Sequence, residues 1–219
     1  MILAVFDVDG TLTRGDSLKW FGWHIFKRGG LKFSYLPGLS LCLSKYLLGL
    51  SGAGVLKAAV LRTLLGGTSV EEARQQADQF NHQFLFKRLH PLGAARIQWH
   101  REQNHRIILL SASPEIYLTG FACMIGADTL ICTRVVSRDG SLTGELAGEN
   151  CKGEEKLKRL SSEPTLRDAD WDQSYGYGNA AEDIHFLRVI GKPTAVNPDR
   201  KLRQMALAHG WKIENWREA

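Results

Sequence analysis

The chain has 219 residues, enough for one medium-sized domain or for a core with one sizeable insertion. Hydrophobic residues make up 44% of it and charged residues 23%, which is typical of a soluble globular protein. The formal charge of +5 and the pI near 9.1 suit an anionic substrate or surface. Nucleic-acid binding is not expected, because no block of Lys and Arg with interleaved aromatic residues occurs.

The cysteines and the N-terminus indicate a cytoplasmic protein. Cys42, Cys123, Cys132 and Cys151 form no CxxC pair and no cluster with histidines, which is the pattern of free thiols in a reducing compartment. The apolar run at the N-terminus lacks a preceding basic region and is too short for the core of a signal peptide. We therefore expect no secretion.

The first strand is predicted over residues 2–6, an unbroken apolar run typical of a strand buried on both faces of a parallel sheet. Asp7 and Asp9 follow it. Side chains two apart on an extended chain point to the same side, so both carboxylates should lie just past the end of the sheet. Gly10 permits a tight turn, and Thr11 offers a hydroxyl. Two crowded acids repel each other and resist burial, which predicts a cation beside them, with a divalent metal as the obvious candidate.

Residues from about 15 to 90 are predicted to be wholly helical. The first helix has Asp16 or Ser17 as its N-cap, the second covers 55–65, and the third starts after Ser69 with capping-box spacing. No part of this block shows the alternation of a strand.

Residues 31–50, LKFSYLPGLSLCLSKYLLGL, form the most hydrophobic stretch of the chain. Lys32, Lys45 and the interruption at Pro37-Gly38 argue against a membrane-spanning helix. Two interpretations remain open. Either the helices pack on one another in a small bundle, or the stretch forms an interfacial surface whose lysines reach toward lipid phosphates.

The second part of the chain alternates between helices and strands. A helix over 92–102 precedes a buried strand over 106–110, which ends at Ser111. With Ser113 as N-cap and Pro114 at the first helical position, Ser111 stands between a strand end and a helix N-terminus. Free N–H groups at such a point favour an anion such as phosphate.

The remaining pattern completes a doubly wound α/β fold with a parallel sheet. Turn residues at 137–140 indicate a hairpin. The other predicted elements are strands at 128–136 and 142–146, a basic helix at 153–160, a strand at 173–177 that ends in GNAAED, a helix to Ile190, a final strand at 193–196, and a last helix that Asn197-Pro198 caps and that ends near Gly210.

Residues 7–11, DVDGT, resemble the first motif, DxDGT, of the haloacid dehalogenase superfamily of phosphatases and phosphotransferases. Ser111 resembles the second motif, a Thr or Ser after a hydrophobic strand. The helical block between these motifs resembles the subgroup that has a helical cap inserted after the first motif and that contains phosphoserine phosphatase. The resemblance implies a haloacid dehalogenase core at 1–14 and 91–219 with a helical-bundle cap at 15–90.

The third and fourth motifs follow in order. The third is a lysine in a basic segment, and both Lys152 and Lys156 match it, with Lys156 slightly favoured. The two are four apart and would share one helical face, so both could approach the site. The fourth motif, GDxxxD or GNxxxD, matches Gly178, Asn179 and Asp183. Asn179 replaces a carboxylate, and we expect this to weaken Mg²⁺ affinity without abolishing it, because Mg²⁺ gains less from a neutral oxygen.

The resemblance implies a Mg²⁺-dependent phosphatase that acts on a small-molecule phosphate ester. Asp7 would attack phosphorus and form an aspartyl phosphate, and Asp9 would serve as general acid and base. The implied Mg²⁺ ligands are Asp7, Asp9, Asn179 and Asp183. The residues implied to contact the phosphoryl group are Gly10, Thr11, Ser111, Ala112, Lys152 and Lys156.

Specificity would come from the cap, where alternatives stay open. Asp16 lies nine residues after Asp7, where phosphoserine phosphatases have an acid that meets the substrate amino group, but it is equally suited to cap a helix. Arg62 or Lys57 could contact a carboxylate or a second phosphate. The apolar stretch at 31–50 suits instead a phospholipid head group, with a peripheral membrane contact through the cap.

Two further classes of protein would use the same residues. A phosphate-binding regulatory protein that has lost turnover is one, although the intact Asp7 and Asp9 argue against it. Phosphoryl transfer to an acceptor other than water is the other.

Overall fold

The computed structural model describes residues 1–217 and contains eight strands in that range. The strands are β1 (Leu3–Phe6), β2 (Arg106–Pro114), β3 (Thr129–Thr133), β4 (Val135–Arg138), β5 (Ser141–Leu146), β6 (Tyr175–Gly178), β7 (Lys192–Val196) and β8 (Lys212–Glu214). Six of them form one parallel sheet in the order β3-β2-β1-β6-β7-β8, while β4 and β5 form a separate antiparallel hairpin. The expected α/β fold with a parallel sheet is confirmed.

Helices cover both faces of the sheet, and helices also make up the part of the chain that connects β1 to β2. The helices are α1 (Ser17–Lys27), α2 (Leu36–Leu47), α3 (Ala53–Leu65), α4 (Val70–Phe80), α5 (Pro91–Glu102), α6 (Glu115–Ile125), α7 (Glu154–Ser162), α8 (Ile184–Leu187) and α9 (Arg200–Ala208). Within the described range, no helix is both long and apolar enough to span a bilayer.

Strand β1 lies at the centre of the sheet, and all four of its side chains are fully buried. Ala4 and Phe6 point into one core cluster, whereas Leu3 and Val5 point into the cluster on the other face. This alternation explains the unbroken apolar run, because a strand covered on both sides has no face that prefers water. It also directs the chain after Phe6 to the carboxyl edge of the sheet, where ligands bind in such folds.

The helical block from α1 to α4 packs against helix α6 through aromatic side chains. Phe21 and Phe80 lie 5.3 Å apart between ring centroids, and Tyr117 of α6 lies 4.9 Å from Phe21. All three side chains are fully buried. Helices α1 and α4 are therefore fixed to the sheet by an apolar core that continues into it.

The loop between α3 and α4 also bonds to the β4–β5 hairpin. The Gly67 amide donates to the Leu142 carbonyl at 2.8 Å, and the Leu142 amide donates to the Thr68 carbonyl at 2.9 Å. Gly144 has φ +79°, and a Cβ there would lie 2.3 Å from Arg62 Cα. Glycine is required at this position because the hairpin touches the backbone of α3 directly.

Three expected boundaries around the second and third strands are corrected. β2 continues to Pro114 through an irregularity in its pairing with β3, so α6 begins at Glu115 and Ser113 is not its N-cap. The strand expected at 128–136 is two strands, β3 in the sheet and β4 in the hairpin. The hairpin turn itself is confirmed, with Asp139 and Gly140 at φ 49° and 73°, the left-handed backbone that such turns require.

The C-terminal region differs in similar ways. β7 is not the final strand, because β8 pairs beside it. The N-cap of α9 is Asp199, whose carboxylate accepts from the Leu202 amide at 2.7 Å, and not Asn197-Pro198. The helix expected to reach Ile190 is the short α8, preceded by a 3₁₀ turn.

Candidate active site

The carboxyl edge of the sheet opens into a cavity of about 800 Å³. Asp7 lies in it directly after β1 and is 5% exposed, with its amide donating to the Tyr177 carbonyl of the neighbouring strand at 2.9 Å. The side chains that determine its chemistry come from the carboxyl ends of β1, β2 and β6, from α7 and from α3 of the helical block. They are Asp7, Asp9, Lys57, Ser111, Lys156 and Asn179.

Lys156 of α7 binds two buried carboxylates. Its Nζ lies 2.6 Å from Asp7 Oδ1 and 2.6 Å from Asp183 Oδ1, and all three side chains are at least nine-tenths buried. Burial alone would lower the pKa of Lys156, but Asp183 and Asp7 raise it above its usual value, so the ammonium is retained. One cation thus faces two carboxylates. The group has a deficit of positive charge when both are ionised.

The pKa of Asp7 is raised to about 7, chiefly by burial and further by Asp183, against the lowering effect of Lys156. Thr11, also fully buried, donates its hydroxyl to Asp7 Oδ2 at 2.9 Å. Both oxygens of Asp7 are therefore oriented by donors. An additional cation at this carboxylate would favour its ionised form.

The side-chain amide of Asn179 lies against the two aspartates, with one of its polar atoms 3.2 Å from Asp7 Oδ2 and 3.1 Å from the Asp9 carbonyl oxygen. If that atom is the nitrogen, it donates to both oxygens. If it is the oxygen, three oxygens converge, and a cation must stand between them. A carboxylate, an amide oxygen and a backbone carbonyl are the donors that Mg²⁺ prefers, so these residues fit the ion.

Asp183 supports this arrangement by accepting hydrogen bonds from Lys156 and from the backbone at Asn179 and Ala180. Its Oδ1 accepts from Lys156, and its Oδ2 accepts from the backbone amides of Asn179 and Ala180 at 2.9 and 3.1 Å. Its role as a direct Mg²⁺ ligand stays a prediction. Within residues 1–217, no three side chains of His, Cys, Asp or Glu gather as a metal cluster, so the fit to Mg²⁺ depends on the amide and the backbone oxygen.

Gly10 leaves room for the side chain of Asn179 beside the aspartates. Its φ is +85°, and a Cβ at this position would lie 2.2 Å from the Asn179 side-chain nitrogen. Both the backbone conformation and the close approach therefore require glycine.

The Asp9 side chain points toward the helical block. Its Oδ1 accepts from the Ser17 amide at the start of α1 at 2.7 Å, and its Oδ2 accepts from the Ser113 hydroxyl at 2.5 Å. Burial raises the pKa of Asp9, while the bonds from Ser113 and Ser17 lower it. Sequence reasoning placed both serines only at helix starts. The contact of Ser113 with Asp9 was missed because it joins residues 104 positions apart, which no local pattern indicates. Ser17 is only eight residues from Asp9, but its capping pattern gave no sign that its amide bonds to that carboxylate.

Ser111 lies in the cavity at 1% exposure, and its hydroxyl oxygen accepts from the Ser113 amide at 3.0 Å. The neighbouring Ala112 directs its carbonyl away to Lys57 of α3, which donates to it at 2.6 Å and to Asn150 Oδ1 at 2.7 Å. Burial lowers the pKa of Lys57 to about 8. Lys57 therefore brings a half-buried amine from the helical block to the cavity.

Three other predicted residues have distinct positions. Lys152 lines the cavity and pairs with Glu182 at 2.8 Å, so Lys156 lies deep in the site and Lys152 at its edge. Asp16 also lines the cavity, and it caps α1 by accepting from the Leu18 amide at 3.0 Å. Arg62 is not among the residues that line the cavity and instead pairs with Glu145 at 3.2 Å.

The outer part of the cavity contains residues that the sequence did not indicate. Arg14, His90 and Arg217 line it, and His90 is 1% exposed with no hydrogen-bond partner for Nδ1 among residues 1–217. Burial, and then the two arginines, lower the pKa of His90, so its ring is neutral at pH 7. Arg14, Arg217 and Lys57 form no ion pair within the described part of the chain.

Known proteins are similar to this chain in sequence and in fold. The model of the haloacid dehalogenase-like hydrolase family matches residues 4–188. Protein CicA of Caulobacter vibrioides is 33% identical over 194 residues, which is 86% of this chain and 82% of that protein. Phosphoserine phosphatase SerB1 of Mycobacterium tuberculosis is 26% identical over 219 residues, 99% of this chain and 71% of that protein. The crystal structure of a protein of unknown function from Bordetella pertussis Tohama I gives a TM-score of 0.82 at 26% identity and covers 97% of both chains.

The chain belongs to the haloacid dehalogenase-like hydrolase family. It is an enzyme of the phosphatase kind in that family, with phosphoserine-phosphatase-like relatives. The family that the DVDGT motif suggested is thus confirmed.

Proposed function

We propose that the protein is a Mg²⁺-dependent phosphomonoesterase that forms an aspartyl phosphate on Asp7. One observation carries this proposal: Asp7 is a buried carboxylate on which Lys156, Thr11 and a set of oxygen donors suited to Mg²⁺ converge, at the floor of the cavity. A carboxylate held by cations and donors beside a phosphate site is well placed for nucleophilic attack.

The reaction has two steps. A carboxylate oxygen of Asp7 bonds to phosphorus as the bond from phosphorus to the leaving oxygen breaks, and Asp9 gives its proton to that oxygen. Water then attacks phosphorus, Asp9 takes a proton from the water, and inorganic phosphate leaves as Asp7 is regenerated. Asp7, the Asp9 carbonyl and Asn179 would hold Mg²⁺, whose positive charge would reduce the repulsion between carboxylate and phosphate.

The surroundings of Asp9 and Ser111 support these roles. A pKa raised by burial favours the protonated Asp9 needed for the first step. Ser111 offers a hydroxyl to an equatorial phosphoryl oxygen, and Lys156 places its charge beside the same group. Lys152 lies at the edge of the site, where Glu182 shares its charge.

The substrate we propose is a small phosphorylated metabolite that has a second charged group, such as phosphoserine. Arg14, Lys57 and Arg217 provide positive charge without acidic partners in the described range, which suits a carboxylate. Asp16 lies in the cavity where an amino group could meet it. The relative SerB1 is named a phosphoserine phosphatase. In this proposal the helical block at 15–90 is the cap that sets specificity, and the enzyme works in the cytoplasm.

The test is phosphate release by the purified protein, with Mg²⁺ or with EDTA, on p-nitrophenyl phosphate, phosphoserine, lysophosphatidate and phosphatidylglycerophosphate. We expect release that requires Mg²⁺, and its loss in Asp7→Asn. Asp168→Asn, at an exposed position, is the control for a lost aspartate. Substantial Mg²⁺-dependent turnover by Asp7→Asn would falsify the mechanism, and a preference for the lipid esters would reassign the substrate to a phospholipid head group.

A further inference from the structure

The cap has an apolar surface that the protein itself does not cover. None of the 12 residues of α2 is buried, and the loop after it is equally exposed. Leu47, Leu48 and Leu50 are 74%, 72% and 73% exposed. The apolar cap face comprises the exposed large side chains Phe33, Tyr35, Leu36, Leu41, Leu43, Tyr46, Leu47, Leu48 and Leu50.

This exposure is unusual for a helix of a folded domain. An amphipathic helix buries one face against the core, but within α2 only Leu39 and Cys42 are even partly covered. Monomeric proteins seldom present so many neighbouring apolar side chains to water, and such a patch marks an interaction surface.

The charge around this face has one sign. Residues 17–70 contain seven Lys and Arg and no Asp or Glu, whereas the rest of the chain contains 21 and 23. The net positive charge of the protein therefore resides in this segment. Lys27, Lys32 and Lys45 form no ion pair within residues 1–217, and Lys27 lies over the ring of Trp23, which is 52% exposed.

We propose that the apolar cap face docks on the surface of an anionic lipid bilayer. Exposed leucines and aromatic rings would enter the boundary between head groups and acyl chains, and the lysines would meet lipid phosphates. A second copy of the chain is a poor occupant, because the lysines of this segment that form no ion pair among the described residues, Lys27, Lys32 and Lys45, would repel their counterparts in the other copy.

The apolar cap face lies close in the chain to residues that line the cavity. Leu50 lies three residues before Ala53, and Ala53 and Lys57 of α3 both line the cavity. A docked cap therefore holds the cavity next to the lipid surface. The docking itself does not depend on the proposed phosphatase reaction, because it involves only the outer face of the cap.

The experiment is cosedimentation of the full chain with phosphatidylcholine vesicles that contain or lack phosphatidylglycerol. We expect binding to the anionic vesicles that is at least ten-fold tighter than to the neutral ones and that weakens as NaCl is added. The variant Leu47→Glu/Leu48→Glu should lose at least ten-fold in binding. Lys45→Gln should lose roughly five-fold, since each basic residue near the surface contributes about 1 kcal/mol.

Leu207→Glu is the matched control, because Leu207 is 66% exposed on α9, outside the cap. It should bind like the wild type. Equal hydrolysis of soluble p-nitrophenyl phosphate by all variants shows that the site is intact, and equal melting temperatures show that the fold is. If wild type binds neither vesicle, or if the cap variant binds like Leu207→Glu, the proposal is overturned. A concentration-dependent dimer in ultracentrifugation that the cap variant abolishes would assign the face to a second copy instead.

Discussion

Replacing Lys156 by Met removes the cation that pairs with both Asp7 and Asp183 while keeping much of the side-chain volume. The two carboxylates are 7% and 2% exposed, so neither can recover its hydration by turning to water. Both must remain buried with like charge nearby, or one must take up a proton at pH 7. Either outcome costs free energy in the folded state alone.

The size of the loss follows from burial. Removing one partner of a buried ion pair typically destabilises a protein by about 3–5 kcal/mol, because the other charge stays uncompensated. Exposed pairs contribute only about 0–1 kcal/mol. Lys158 on the same helix is 76% exposed and lies 3.7 Å from Glu155, which makes Lys158→Met a matched control with an expected loss below about 1 kcal/mol.

Urea unfolding of the metal-free protein measures the difference between the two variants. Lys156→Met/Asp183→Asn should regain part of the stability that Lys156→Met loses, because one of the stranded charges is removed. A loss below about 1 kcal/mol in Lys156→Met, or no recovery in the double variant, would contradict the idea that Lys156 neutralises these acids.

Three other predictions concern the same region. Asn179→Asp should tighten Mg²⁺ binding in calorimetry and lower the stability of the metal-free protein, because a third charge joins the site 3.2 Å from Asp7; unchanged affinity would exclude Asn179 as a ligand. Gly10→Ala should lower the free energy of unfolding in urea by about 1–3 kcal/mol and weaken Mg²⁺ binding. Gly140→Ala is the control, because Gly140 also has a positive φ (+73°) but open space around it, so this variant should show only the cost of the strained backbone. If both variants changed Mg²⁺ affinity equally, the close approach at Gly10 would not matter for the metal. Burial lowers the pKa of His100 to about 3 in the folded state. Below about pH 6.5 the unfolded chain therefore binds a proton that the folded protein does not. The free energy of unfolding falls as the pH drops toward 3, by at most about 1.4 kcal/mol per pH unit. His100→Gln should flatten that slope in unfolding at pH 7 and pH 5, and an unaltered slope would refute the assignment.

Sequence patterns located the site because its residues follow strand ends. The apolar run before Asp7 and the strand before Ser111 are local features, and parallel strands bring their carboxyl ends to one edge. The predicted hairpin turn was also local, since Asp139 and Gly140 are suited to left-handed backbone.

Contacts between distant parts of the chain were beyond such patterns. Helical periodicity put Lys152 and Lys156 on one face, but their different depths depend on Asp7, 149 residues away from Lys156. Ser113 has the chemistry of an N-cap residue. Its bond to Asp9 depends on the pairing of β2 with β1, which no local pattern around Ser113 indicates. β8 has three residues, too few for a periodic signal.

The contact between the α3–α4 loop and the β4–β5 hairpin bears on how chimeras of this protein should be built. The hairpin lies after β3 in the chain, yet its Leu142 is hydrogen-bonded to Gly67 and Thr68 of the helical block. A transplant of residues 15–90 alone into another scaffold would leave these backbone groups facing a hairpin that evolved with different neighbours. A graft that exchanges the hairpin together with the helical block preserves the bonds and the close fit at Gly144. The unit to transfer is therefore discontinuous. It consists of the helical block and of the β4–β5 hairpin, which follows β2 and β3 in the chain.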